Sequence, residues 1–113
     1  MNAIKNKVQL IGNLGGNPEI KTLEGGKKVA RINMATSETY TNVKGEKVTE
    51  TNWHNVVAWG KTADIAEKLL FKGTEVAIEG KLVTRNYTDK EGVKKYITEV
   101  VVNELLVLSK KPA

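Results

Sequence analysis

The sequence predicts an all-β domain, a five-stranded Greek-key barrel with one helix between the third and fourth strands. Three observations predict it. Apolar residues recur with a period of two along most of the chain. One segment, Thr62 to Lys72, switches to helical spacing. Glycine-rich breaks separate the alternating runs. A chain of 113 residues suits a single domain and buries roughly two thirds of its unfolded surface without a metal or disulfide staple. Residues 1–108 are therefore read as one folded unit and 109–113 as a short basic end.

From Ile4 the even positions Ile4, Asn6, Val8, Leu10, Gly12 and Leu14 alternate with Lys5, Lys7, Gln9, Ile11 and Asn13, a half-buried first strand with a basic start. Gly15-Gly16-Asn17-Pro18 ends it, and Gly25-Gly26 marks a second loop. Val29 to Ser37 is the second strand, with Ala30, Ile32 and Met34 on one face and Arg31, Asn33 and Ala35 on the other. Thr39 to Glu50 is polar around Lys44-Gly45-Glu46-Lys47 and reads as a long hairpin loop. Thr51 to Gly60 is a third strand, rich in β-branched and aromatic residues.

The helix follows. Ala63, Ile65, Ala66, Leu69 and Leu70 form its apolar stripe, Thr62 is the expected N-cap, and Lys72-Gly73 supplies a basic last turn and a glycine stop. In the fourth strand Val76, Ile78, Gly80, Leu82 and Thr84 are expected to face inward, with Glu75, Glu79, Lys81, Arg85 and Tyr87 outward and Ala77 and Val83 between them. Asp89-Lys90-Glu91-Gly92 is a turn. The last strand runs from Val93 to Leu108, and from Ile97 onward both of its parities are apolar. Such a strand is expected to be covered on both faces, by its own core or by another subunit. Five strands with a helix in this place match the OB-fold, a barrel that binds oligonucleotides.

Composition narrows the function. No cysteine is present, which removes disulfides, thiolate metal sites and cysteine nucleophiles. One histidine cannot build a multi-histidine metal site, and a Ser-His-Asp set would have to draw on Ser37, Ser109 and His54. Gly60-Lys61-Thr62 echoes the end of a phosphate-binding loop but lacks its upstream glycine, where Asn55 stands. Glu75 and Glu79 share a face with no partnering nucleophile. The expectation is a non-enzyme with no catalytic residues, no metal and no cofactor. The N-terminus has no apolar run after its lysines and the longest apolar runs are four residues, so a cytoplasmic protein without a membrane span is expected.

The formal charge of +5 is a moderate hint of a nucleic-acid partner. Aromatic placement says more. Tyr40 opens the long loop, Trp53 and Trp59 share parity on the third strand, and Tyr87 sits late on the fourth. Cations are interleaved with them: Lys44 and Lys47 beyond Tyr40, Lys61 beside Trp59, Arg85 beside Tyr87. Aromatic faces separated by cations suit a single nucleic-acid strand, because each base offers a π-face and each phosphate a charge. Taken bottom-up, the alternatives are tryptophans buried in the barrel core beside a solvated basic face, an RNA-binding or primosomal OB module, and an oligomerisation module built on the apolar last strand. His54 has the opposite parity and reads as a packed or interface-bonded histidine.

The chain resembles the bacterial single-stranded DNA-binding proteins from about Asn6 to Leu108. The resemblance is carried by Val8 to Leu14 with Pro18-Glu19, by Val29-Ala30 and Ala35-Thr36-Ser37-Glu38, and by Trp53-His54 with Val56-Val57. It continues through Gly60-Lys61, Lys72-Gly73, Ile78-Glu79-Gly80-Lys81-Leu82, Thr84-Arg85 and Thr98 to Asn103. It implies an OB-fold, a homotetramer, and single-stranded DNA bound without sequence preference in replication, recombination and repair. The family's stacking aromatics fall on Tyr40, Trp53, Trp59 and Tyr87. Its phosphate contacts fall on Lys7, Lys61, Lys72 and Arg85, with Lys5 and Lys21 beside them, and His54 falls near the subunit contact. Family members usually continue into a flexible tail with acidic residues that recruits partners, whereas this sequence ends Ser109-Lys110-Lys111-Pro112-Ala113. Tail-dependent partners are therefore not expected.

Overall fold

The computed structural model describes residues 5–108, so Ile4 and the basic end at 109–113 lie outside the described residues. The elements are β1 (Val8–Leu14), β2 (Glu19–Thr22), β3 (Lys28–Thr41), β4 (Lys47–Trp59), α1 (Lys61–Leu69), β5 (Glu75–Thr88) and β6 (Lys94–Val107). The ladder runs β1-β5-β6-β4-β3, and β1 closes it by pairing with β3 at Asn13↔Ala35 and Leu14↔Met34. The pairings are antiparallel except β4–β6, which is parallel at Val56↔Val100 and Val57↔Val101. This is the expected five-stranded closed barrel with its helix between the third and fourth barrel strands.

Closure brings β1 against β3 more tightly than a side chain allows. A Cβ on Gly12 would lie 2.1 Å from the Ala35 carbonyl oxygen, so the strand crosses where only glycine fits. Inside, Leu14, Ile32, Met34, Val56, Val76, Ile78, Val100 and Val102 form one core, and α1 adds Ala63 and Ala66 with Leu70 just beyond its end. Leu14, Ile32, Met34, Val76 and Ile78 come from the apolar parity of the alternating pattern, whereas Val56, Val100 and Val102 lie on strands whose pattern assigned no inward face.

Several local expectations need correction. A sixth strand, β2, lies where the sequence reads as loop. Glu19–Thr22 pairs with Lys28–Arg31 across the turn at Gly25-Gly26, and four residues are too short to leave a periodic signal. The long loop at 39–50 shrinks to 42–46, because β3 and β4 continue as a paired ribbon from Ser37↔Thr51 to Thr41↔Lys47. Threonine pairs across that ribbon, such as Thr39 Oγ1 to Thr49 Oγ1 at 3.1 Å, take the place of a buried face.

The helix begins one residue earlier than expected and ends three residues sooner. Its N-cap is Gly60, at φ 57°, and not Thr62, which lies inside the first turn. The chain must reverse directly after Trp59, and only glycine takes that left-handed angle freely. Ile65 and Leu69 are exposed, not packed; only the alanine side of the helix is narrow enough to sit on the barrel. Lys28 Nζ lies 2.8 Å from both Asp64 Oδ1 and Glu67 Oε1, tying α1 to β3. The hydrogen bonds that Lys28 donates to Asp64, and then to Glu67, raise the Lys28 pKa, and the same lysine lowers that of Asp64.

The remaining corrections concern β5 and β6. Leu82 is 48% exposed, because past Gly80 the β5–β6 ribbon extends beyond the barrel. Opposite Glu79 and Gly80, β6 skips a residue, since Glu79 pairs with Glu104 and Gly80 with Val102. This bulge at Asn103 exchanges the strand's faces. Val100 and Val102 point into the core before it, Leu105 and Val107 pack inward after it, and Leu106 is left 63% exposed. The last strand is thus not covered on both faces within one chain. Leu106 lies in register with Ala77 and Ile11, an apolar row across β6, β5 and β1.

Candidate nucleic-acid interface

Cross-strand partners point to the same side of a sheet, so the register fixes what shares the outer face of β3 and β4. Lys21, Val29 and Trp59 form one row; Glu19, Arg31 and Val57 the next; then Asn33 with Asn55; then Ala35 with Trp53. The parallel pairing of Val57 with Val101 extends the face to the outward residues of β6, Ile97 and Glu99. On β5 the face continues through Lys81 opposite Val101, Val83 opposite Glu99, Arg85 opposite Ile97 and Tyr87 opposite Lys95.

Trp53, Trp59 and Tyr87 therefore lie on one continuous surface, 64%, 39% and 44% exposed. Neither tryptophan belongs to the core, which removes the reading of buried barrel tryptophans. The two indoles stand about 20 Å apart along β4, from six residues at roughly 3.3 Å each. Tyr40 is equally exposed, but the unbroken β3–β4 register puts it on the other side of the ribbon, with Thr36 and His54. Its hydroxyl donates to Glu50 Oε1 at 3.0 Å.

Glycine seats one of the aromatics. A Cβ on Gly15 would come 2.4 Å from Trp53 Cζ3 and 2.7 Å from Cη2, so the edge of the indole's six-membered ring abuts the loop after β1. That loop is pinned by the Gly15 N–H donating to the Asn33 carbonyl at 2.9 Å. Lys27 Nζ sits 5.4 Å from the Trp59 ring centroid, a cation–π contact that steadies the second indole. Between the tryptophans a cleft of about 190 Å³ is bounded by Gly16, Asn17, Arg31, Asn33, Asn55 and Glu99, among others.

The expected cations border this surface unevenly. Lys61 is exposed at the start of α1, just beyond Trp59, and Lys21 lies in the Trp59 row. Lys72 is exposed beside the loop that carries Gly15, its backbone N–H donating to Asn17 Oδ1 at 2.8 Å. Arg85 is held by Glu99. Lys5 and Lys7 flank Asn6, which bonds the Leu82 backbone in both directions, and Lys7 Nζ is 3.5 Å from Glu79 Oε1. They sit at the β1–β5 side, away from the tryptophans. His54 is half-buried with Nε2 2.9 Å from Thr36 Oγ1, a bond between β3 and β4.

Sequence reading missed Gly15, Lys27, Arg31 and Glu99. The parity of Arg31 marks it as outward, but nothing in the sequence distinguishes Glu99 from a solvated glutamate. In the fold it is 5% exposed. Arg85 Nε and Nη2 donate to it at 2.8 and 3.3 Å, and Arg31 Nη1 at 3.2 Å. The Arg85 hydrogen bonds, with the charges of both arginines, hold the Glu99 carboxyl below the usual carboxylate range against the opposing effect of burial. Among the described residues no cluster of three or more histidines and carboxylates could hold a metal, and no helix is long and apolar enough to cross a membrane.

The profile of the single-strand binding protein family matches residues 5–108. Single-stranded DNA-binding protein 1 of Xylella fastidiosa is 43% identical over 107 residues, 94% of this chain and 79% of that protein. Single-stranded DNA-binding protein 1 of Chlorobaculum tepidum is 46% identical over 94% of this chain, which spans 66% of that protein. Among solved structures, a Plasmodium falciparum SSB complex with ssDNA superposes with a TM-score of 0.84 at 35% identity, covering 92% of this chain and 95% of that one. A deletion mutant of the single-stranded DNA-binding protein from Thermus aquaticus superposes at 0.79 with 30% identity, over 92% of this chain and 50% of that one. With its barrel closed as expected and Trp53, Trp59 and Tyr87 on one outer face, the chain belongs to the single-strand binding protein family.

Proposed function

We propose that this chain binds single-stranded DNA without sequence preference and shields it during replication, recombination and repair. The observation that carries the reading is the single surface on which Trp53, Trp59 and Tyr87 are exposed with cations between them. Bases stack on the rings, at about 1–3 kcal/mol each whatever their identity. Lys21, Lys61, Lys72 and Arg85 meet phosphates along the same face, and each contact adds a salt-dependent increment. Tyr40 on the far side of the β3–β4 ribbon, and Lys5 and Lys7 beyond β5, extend the path, so a bound strand wraps around the barrel and does not stop at one face. The reading assigns no chemical step to any residue.

The apolar row Ile11-Ala77-Leu106 supports self-association. Two of its members are more than 60% exposed, and a second copy would cover them; the number four rests on the resemblance alone. His54 keeps its proposed place near a subunit contact. DNA of the cell interior is the proposed site of action, and the binding unit is the span read as 1–108.

Titration with oligo-dT, followed by intrinsic fluorescence, tests the function. The chain has two tryptophans, and both lie on the proposed surface, so quenching reports that surface directly. Strong quenching at low salt, relieved as salt is added, is expected. Absence of quenching, or affinity indifferent to salt, refutes the reading. Competition with oligo-U and duplex DNA separates it from an RNA-binding module.

A further inference from the structure

The cleft between the two tryptophans holds an arrangement that the proposed function does not require. Glu99 is buried, and Arg85 alone satisfies it in a two-bonded fork, the strong geometry for a guanidinium and a carboxylate. A second guanidinium, from Arg31 on a different strand, nonetheless donates to the same carboxylate oxygen. Its bond is single, at 3.2 Å against the 2.8 and 3.3 Å of the Arg85 fork. What it does is hold Arg31 in place. The Arg31 side chain is 47% exposed, and one bond to Glu99 leaves most of its N–H donors directed elsewhere.

We infer that Arg31 is a phosphodiester ligand, and that Glu99 is the positioning residue that presents the Arg31 and Arg85 guanidiniums together to one stretch of backbone. The inference rests on the single-stranded DNA reading above. Its place in the fold is specific: Arg31 pairs with Val57, between the rows of Trp53 and Trp59, so a strand stacked on both indoles carries its phosphates past this pair. A free arginine would lose side-chain freedom on meeting a phosphate; one already fixed to a buried carboxylate has lost it on folding. Two guanidiniums against one carboxylate leave an excess positive charge there. Glu19, across from Arg31 on β2, lines the cleft as well. It is exposed and sets the acidic rim of the path.

Two substitutions test this with opposite signs for the competing accounts. Glu99→Gln removes a negative charge from a DNA-binding face, so charge counting alone predicts tighter binding. Positioning predicts weaker binding, by about 5- to 10-fold for oligo-dT, because neutral glutamine does not hold two guanidiniums. Arg31→Ala keeps the fold, since the residue is exposed, and is expected to weaken binding by a similar factor. It should also reduce the slope of log K against log salt by about 0.7, the loss of one phosphate on a single strand. Arg31→Lys should recover the slope but not the full affinity, because a point charge lacks the fork.

An unchanged slope and affinity in Arg31→Ala, with normal quenching by the wild type, overturns the inference and leaves the DNA-binding reading intact. Tighter binding by Glu99→Gln at temperatures where it is folded overturns the positioning role. A wild type that is not quenched at all overturns the underlying reading instead.

Discussion

Substituting Gly15 by alanine is expected to damage DNA binding while sparing the fold, and the neighbouring Gly12 provides the contrast. An added Cβ at Gly15 would stand 2.4 Å from Trp53 Cζ3. Ordinary contact begins near 3.4 Å, so the indole must retreat by about 1 Å. The ring is 64% exposed and moves outward at little cost, so Tm should hold within about 3 °C. A stacking platform displaced by that distance keeps only part of its worth. With the full value at roughly 1–3 kcal/mol, affinity for oligo-dT should fall about 5- to 10-fold. At Gly12 the added Cβ would meet the Ala35 carbonyl oxygen at 2.1 Å, and backbone cannot step aside. Gly12→Ala should cost about 3 kcal/mol and lower Tm by roughly 10–20 °C. The assay pairs thermal denaturation by circular dichroism with fluorescence titration, carried out in a Trp59→Phe background so that emission reports Trp53. If Gly15→Ala binds oligo-dT as the parent does, with the emission maximum unmoved, the seating of Trp53 on this loop has no role in binding.

Trp53→Ala should weaken binding by about 1–3 kcal/mol, alike for oligo-dT and for mixed-sequence oligonucleotides; a loss confined to one sequence would show base-edge readout. Leu106→Arg places a charge in the exposed apolar row and should shift the oligomer toward smaller species by light scattering with the barrel's circular dichroism retained; an unchanged mass would move the subunit contact elsewhere. Glu99 supplies a pH dependence. Its pKa is depressed in the folded state by the Arg85 hydrogen bonds and the two arginine charges, so its stabilisation is present above the ordinary carboxylate value and is lost as pH falls through the folded one. The Tm gap between wild type and Glu99→Gln should therefore narrow as pH is lowered from about 6 to about 3, and a gap that stays constant would mean the carboxylate is not held ionised by its arginines.

The sequence by itself determined the barrel and part of its lining. Alternation decides which side of a strand meets water, so Leu14, Ile32, Met34, Val76 and Ile78 were legible as core from the pattern, whereas Val56 and Val100 were not. The shared parity of Trp53 and Trp59 was legible for the same reason, and with it the idea of a stacking face. Local pattern could not show the short strand β2, whose four residues carry too little periodicity, nor the helix cap at Gly60, which follows from the reversal the barrel forces on the chain.

Tertiary structure alone decided which residues from distant strands meet. Arg31 and Glu99 are 68 positions apart, and only the parallel contact of β4 with β6 brings them into one cleft. The bulge at Asn103 turned Leu106 outward, where two-sided hydrophobicity had suggested burial. The register of the β3–β4 ribbon put Tyr40 on the far side from Trp53. Local periodicity fixes the face a side chain takes within its own strand, whereas barrel closure and register fix its neighbours, and binding a flexible strand of DNA depends on neighbours.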